Sequence, residues 1–136
     1  MRKALLLVTF LGWALFAAGQ NYHWLRADIP VDFQFNGQSM QAGLYMFGSD
    51  IQAHAICIRN ANSAGQLRYQ IMEDFDAHYK SQVPLVTFHK IGNQYFFSDL
   101  RYPGWGRTSV FPSEVEKRYD KIAKQQVQVQ GDEVGK

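Results

Sequence analysis

Leu85-Val86-Thr87-Phe88-His89-Lys90-Ile91-Gly92-Asn93-Gln94-Tyr95-Phe96-Phe97-Ser98 is two β-prone runs hinged on Gly-Asn. Gly92-Asn93 between such runs signals a tight hairpin, because a two-residue turn favours residues that tolerate positive φ. That turn sets a register in which Ile91 faces Gln94, Lys90 faces Tyr95, His89 faces Phe96 and Phe88 faces Phe97. Thr87 then faces Ser98, Val86 faces Asp99, and Leu85 faces Leu100. One face carries Leu85, Thr87, His89, Ile91, Phe96, Ser98 and Leu100; the other carries Val86, Phe88, Lys90, Tyr95, Phe97 and Asp99. Both faces are largely apolar, as in a hairpin covered on both sides, and the Lys90 ammonium is expected beside the Tyr95 ring. His89 has no carboxylate or hydroxyl near it in sequence at triad distance. Thr87 shares its face, but a threonine without an acid-oriented base is a poor nucleophile. The stretch reads as a hairpin carrying a satisfied, partly buried histidine.

Strand patterns continue on either side. Ile29, Val31, Phe33 and Phe35 alternate with Pro30, Asp32 and Gln34 up to Asn36-Gly37, a second hairpin signal. Pro30 cannot donate to a ladder, so that strand is expected to start at an edge or just before pairing begins. Gln38-Ser39-Met40, a turn or bulge at Ala42-Gly43, and Leu44 to Phe47 follow. Ala55-Ile56-Cys57-Ile58-Arg59 is β-branched and runs into the loop Asn60 to Gly65. In Gln66 to Met72, Leu67, Tyr69 and Ile71 share one face. Glu73 to Val83 reads as a loop. Pro112-Ser113-Glu114-Val115-Glu116 opens a helix expected over 113–126, with Ser113 and Glu116 as a capping box and Val115, Tyr119 and Ile122 as its apolar stripe. Residues 127–136 read as a flexible tail.

The N-terminus has its own logic. Arg2 and Lys3 precede an uncharged run from Ala4 to Gly19 that ends on small residues, the pattern of a secretory signal peptide spanning 1–19. The cut is expected after Gly19, with Ala18 as the nearest alternative. The run is shorter than the roughly 20 residues that cross a hydrocarbon core, so no stable membrane span is expected after cleavage. The formal net charge of +2 is carried by Arg2 and Lys3, which leaves a neutral remainder without the basic footprint of a nucleic-acid binder. The rest, residues 20–126 before the tail, suits a single β-domain. Cys57 is the only cysteine, so no internal disulfide forms, and between Ile56 and Ile58 it reads as a small buried residue.

Candidate sites are few. Tyr22, Trp24, Tyr102 and Trp105 fall in turn-like stretches, and exposed aromatic rings stack on sugars or anchor partners. Trp24, Tyr102, Trp105 and Arg107 make the expected binding surface; the alternative is that Trp105 folds back as a plug over an open end of the sheet. Asp74, Asp76 and His78 offer a weaker metal alternative, without EF-hand spacing. Asp32 and Asp99 are the carboxylate pair a glycosidase reading would need. No phosphate loop, nucleophile elbow or dinucleotide fingerprint occurs, and no cofactor is implied.

Ile29-Pro30-Val31-Asp32-Phe33, Ala42-Gly43-Leu44-Tyr45, Ile58-Arg59-Asn60, the 88–96 hairpin and Ser113-Glu114-Val115-Glu116 together resemble a family of small exported bacterial proteins. Their shared hairpin reads Phe-His-Arg/Lys-x-Gly-Asp/Asn-x-Tyr-Phe, and the likeness spans about residues 27–120. This chain departs in having Gln41 where a proline is usual, and in the Tyr102-Pro103-Gly104-Trp105 insertion. The resemblance implies a secreted all-β domain and brings no catalytic residues.

The expectation is therefore an all-β antiparallel sandwich or partly closed barrel of about seven strands with one C-terminal helix. Its expected role is a secreted or periplasmic, non-enzymatic module of the cell envelope or exterior. Its partner would be a protein, a surface polysaccharide or a small apolar ligand. The alternative is an envelope hydrolase using a carboxylate pair or a loop metal.

Overall fold

The computed structural model describes residues 22–61, 67–118 and 125–134. The expected leader, residues 1–19, lies outside them.

The hairpin that anchors the reading is present as β7 (Leu85–Ile91) and β8 (Gln94–Tyr102). Its register runs as the turn dictates from Ile91↔Gln94 to Phe88↔Phe97, and Lys90 Nζ lies 5.6 Å from the Tyr95 ring centroid. There it slips. A bulge sets Thr87 against Asp99, Val86 against Leu100 and Leu85 against Arg101, leaving Ser98 as the extra residue. Bulges bend a strand and re-aim its side chains; here Val86, Phe88, Phe97 and Leu100 stay in the core. Asn36-Gly37 also turns as expected, with φ of 49° and 77°, between β2 (Phe33–Phe35) and β3 (Gln38–Met40).

The remaining strands are β1 (His23–Ile29), β4 (Gly43–Asp50), β5 (Ala55–Asn60), β6 (Arg68–Asp76), β9 (Gly106–Val110), β10 (Gln125–Gln130) and β11 (Asp132–Val134). The described residues thus form eleven strands, against about seven expected. The path is β10-β7-β8-β9-β6-β5-β4-β1-β11, with β2 parallel to β8 and β3 on β2. It is one mixed sheet, not closed into a barrel. Pro30 does not begin a strand. It follows β1 and separates it from β2, because its missing N–H ends the ladder.

The C-terminal expectations are corrected. The single helix among the described residues, α1 (Glu114–Arg118), has five residues. Tyr119 and Ile122 fall outside the described residues, and Gln125 and Gln126 are already strand. The segment expected as a flexible tail pairs instead, Gln125–Gln130 with β7 and Asp132–Val134 with β1. Val127 and Val129 alternate with glutamines, a period of two that no helix uses. Gly131 is the corner. Its N–H donates to Pro84 O at 3.0 Å on the β7 side, and it lies directly against Arg26 O and Leu25 of β1.

The core is a phenylalanine stack: Phe33 against Phe88 at 5.2 Å, Phe35 against Phe97 at 5.3 Å, and Phe47 against Phe97 at 5.7 Å. Each fully buried ring contributes about 2–3 kcal/mol. Cys57 is a buried free thiol, as its apolar neighbours imply. The face shared by Leu67, Tyr69 and Ile71 is turned outward, and Ile71 is 71% exposed.

Candidate functional site

The aromatic residues expected to form one contact surface are divided. Tyr102 closes β8 and is buried; its hydroxyl donates to His23 O at 2.9 Å and meets Ser49 Oγ at 3.1 Å. Burial pushes that phenol's pKa up. Trp105, half-buried, stacks on His23 at 3.8 Å, sets its plane against Tyr102 at 87° and touches Phe75. It folds back onto the core cluster. Trp24 is not in a turn but in β1, on the face opposite His23 and Leu25. Gly48 leaves room for its indole, since a Cβ there would stand 2.9 Å from the ring. The Arg59 guanidinium lies 5.8 Å from its centroid, and Tyr22 stands 5.6 Å away.

The acidic stretch is not the loop expected. Glu73 to Asp76 belong to β6, and Asp76 Oδ1 accepts the His78 N–H at 2.9 Å to start the following turn. Asp74, Asp76 and His78 do not converge, and no three His, Cys, Asp or Glu are grouped to hold a metal among the described residues.

Sequence spacing missed a polar network on the face of β7 and β8 away from the core. Glu116 comes from α1, fixed by the capping box: Ser113 N donates to Glu116 Oε2 at 2.6 Å, and Glu116 N donates to Ser113 Oγ at 3.2 Å. The other oxygen, Oε1, meets His89 Nδ1 at 3.2 Å, and His89 Nε2 stands 3.4 Å from Ser98 Oγ. Ser98 Oγ donates to Asp99 Oδ2 at 3.3 Å, and Arg101 Nε donates to Asp99 Oδ1 at 2.8 Å. Arg101 continues to the Tyr79 hydroxyl, and the Arg107 guanidinium also lies near that ring. Arg107 Nε is 3.7 Å from Asp99 Oδ2 but has no hydrogen-bond partner. Burial pushes the Glu116 carboxyl up, but hydrogen bonds from His89 and Ser113 outweigh it and hold the group below its ordinary range. Glu116 lies 27 residues from His89, and Ser98 reaches the histidine only through the bulge. Neither fact has a local sequence signal.

A groove of about 740 Å³ lies against α1, with Glu116 among the residues that line it. Phe111, Pro112 and Val115 wall it on one side, and Tyr69, Gln70 and Ile71 of β6 on the other. β6 pairs β5 over Arg68–Ile71 but meets β9 only from Met72, so its first half has an open edge among the described residues. Met72 N–H donates to His54 O on the β5 side. By alternation the Tyr69 carbonyl points to the open edge, where Asn36 Nδ2 donates to it at 3.0 Å. Gln70 Oε1 is buried there without a partner.

Comparison with known proteins finds no matching family model, no matching curated protein and no matching solved structure.

Proposed function

We propose that this chain is an exported β-domain of the cell envelope or exterior that binds an extended, partly apolar segment of a partner protein along the open edge of β6. The signal-peptide pattern at the N-terminus supports export. The observation that carries the reading is the stripe Leu67, Tyr69 and Ile71. These are apolar side chains at alternating positions, 41%, 51% and 71% exposed; Leu67 just precedes β6, and Tyr69 and Ile71 lie on the strand edge that opens into the groove. Soluble strands normally turn such a stripe inward or blunt the edge. An added strand would gain main-chain hydrogen bonds from the edge and side-chain contacts from Phe111 and Val115. A donor side chain on it would satisfy Gln70 Oε1.

A hydrolase built on the Asp32–Asp99 pair or on a metal in the 74–78 stretch lacks comparable support. Asp99 is tied to Arg101, Asp32 Oδ1 accepts the Ala42 N–H at 2.8 Å, and no described metal cluster exists.

Trp24 stands in one row with Gly48, Cys57 and Tyr69 across β1, β4, β5 and β6. Titrating purified protein with apolar-alternating peptides, polysaccharides and small apolar ligands while following tryptophan emission tests the proposal. A saturable peptide response that weakens at least about 10-fold in Ile71→Lys, with the melting temperature unchanged, is the expected result. Equal binding by Ile71→Lys, or a response to polysaccharide or apolar ligand alone, would sink it.

A further inference from the structure

We propose that Ser98, His89 and Glu116 form an acyl-transfer centre that hydrolyses short carboxylic esters. This goes beyond segment binding in the groove: it shares Glu116 with the groove's lining but rests on Ser98 and His89, which do not line it.

A serine nucleophile needs a base within reach and an acid that orients the base, contacts of about 2.6–3.2 Å that are often looser before substrate arrives. Here Ser98 Oγ stands 3.4 Å from His89 Nε2, and His89 Nδ1 stands 3.2 Å from Glu116 Oε1. Glu116 cannot swing away, because its second oxygen holds the Ser113 N–H at 2.6 Å. The Nδ1–H tautomer that Glu116 favours leaves Nε2 with its lone pair toward Ser98. The bulge gives Ser98 its place: in a regular ladder it would sit opposite Thr87, whereas here it is the unpaired extra residue.

A fourth group completes the set. Arg107 Nε is buried and has no hydrogen-bond partner, at 3.7 Å from the Asp99 Oδ2 to which Ser98 Oγ donates. The nucleophile and an arginine Nε–H without a hydrogen-bond acceptor therefore flank the same carboxylate oxygen, which pairs with the Arg107 charge. A donor placed there stabilises the negative oxygen that develops when a carbonyl is attacked. The His89 side chain is 33% exposed and Ser98 is half-buried, so the centre opens at the surface and suits short, unhindered acyl groups.

The steps balance. The Ser98 hydroxyl first turns its one proton from Asp99 Oδ2 to His89 Nε2; Oγ then bonds to the ester carbonyl carbon as that proton passes to Nε2, and Arg107 Nε–H meets the oxyanion. The C–O bond to the alcohol breaks, and the alcohol leaves with the proton from His89. Water then attacks the acyl-serine with His89 as base, releasing the carboxylic acid and restoring Ser98. Glu116 is a positioning residue throughout.

The full chain treated with a fluorophosphonate should be phosphonylated at Ser98, read by mass spectrometry of the peptide. Turnover of p-nitrophenyl acetate should fall about 100-fold in Ser98→Ala. Glu116→Gln should lower kcat and distort its pH profile, while Glu114→Gln, exposed on the same helix, should leave both unchanged. Ser98→Ala removes one hydroxyl without opening the core, so its melt should match the parent and separate lost chemistry from lost fold. A folded protein unlabelled at Ser98, or a Ser98→Ala variant as active as the parent, overturns the proposal.

Discussion

A methyl group on Gly131 has no room. Its Cβ would stand 2.6 Å from Arg26 O and 2.7 Å from Leu25 Cδ2, one of them backbone and the other a buried core side chain. Gly131→Ala is therefore expected to cost about 2 kcal/mol or more by chemical denaturation. Gly37→Ala makes the contrast. There φ is +77° but nothing lies within 4 Å, so only backbone strain of about 1 kcal/mol is expected. An equal loss at both sites would mean that Gly131 is not a packing constraint. Cys57 offers a second residue-level test. Burial pushes its thiol up to about 12, and only the thiolate attacks disulfide reagents. At pH 8 the native protein should react with Ellman's reagent only after denaturant is added; rapid native labelling would contradict the burial.

Five residues of helix do not hold themselves together in water, so α1 depends on its capping box and on the His89 contact. The Glu116 carboxyl is held below its unfolded value of 4.5. A depressed carboxylate stabilises the fold above that unfolded value, and the stability is lost as pH falls through the folded one. Glu116→Gln should accordingly melt below the parent at pH 7, by about 1 kcal/mol, and the gap should close at acid pH. A gap that persists undiminished at low pH would mean the carboxylate's charge is not what holds α1.

The same element shows what was legible in the sequence. Ser113 and Glu116 announced the helix start by their spacing, and Gly92-Asn93 announced the hairpin and its register as far as Phe88↔Phe97. The bulge at Ser98 was not legible, because nothing local distinguishes an inserted residue from a paired one. At β6 the period of two was read, but alternation does not say which face meets the core, and it is the face of Tyr69 and Ile71 that meets solvent. The helix was extended over Gln125 and Gln126 although Val127 and Val129 alternate like a strand. Of the site, the His89–Ser98–Glu116 contacts were invisible, since α1 reaches β7 only through the folded sheet.

At the scale of the molecule, the sheet has two flanks, β7 and β1, and one stretch of chain covers both. Removing Gln125–Val134 should leave both edges bare, with the apolar faces of Leu25 and Val86 losing their cover. Such edges pair with other chains. The truncated protein is expected to aggregate or to elute as oligomers in size-exclusion chromatography, where the parent gives a smaller species; an unchanged elution and melt would show that the segment is dispensable. The arrangement also has a temporal side. Gln125–Val134 follows every other strand in chain order, so a ribosome makes it after them all. Until it emerges, the nascent sheet has two open borders at once, and a chain in transit has to be kept from its neighbours for that interval. Docking of this one segment then seals both borders together, so the exposed interval ends in a single event rather than two.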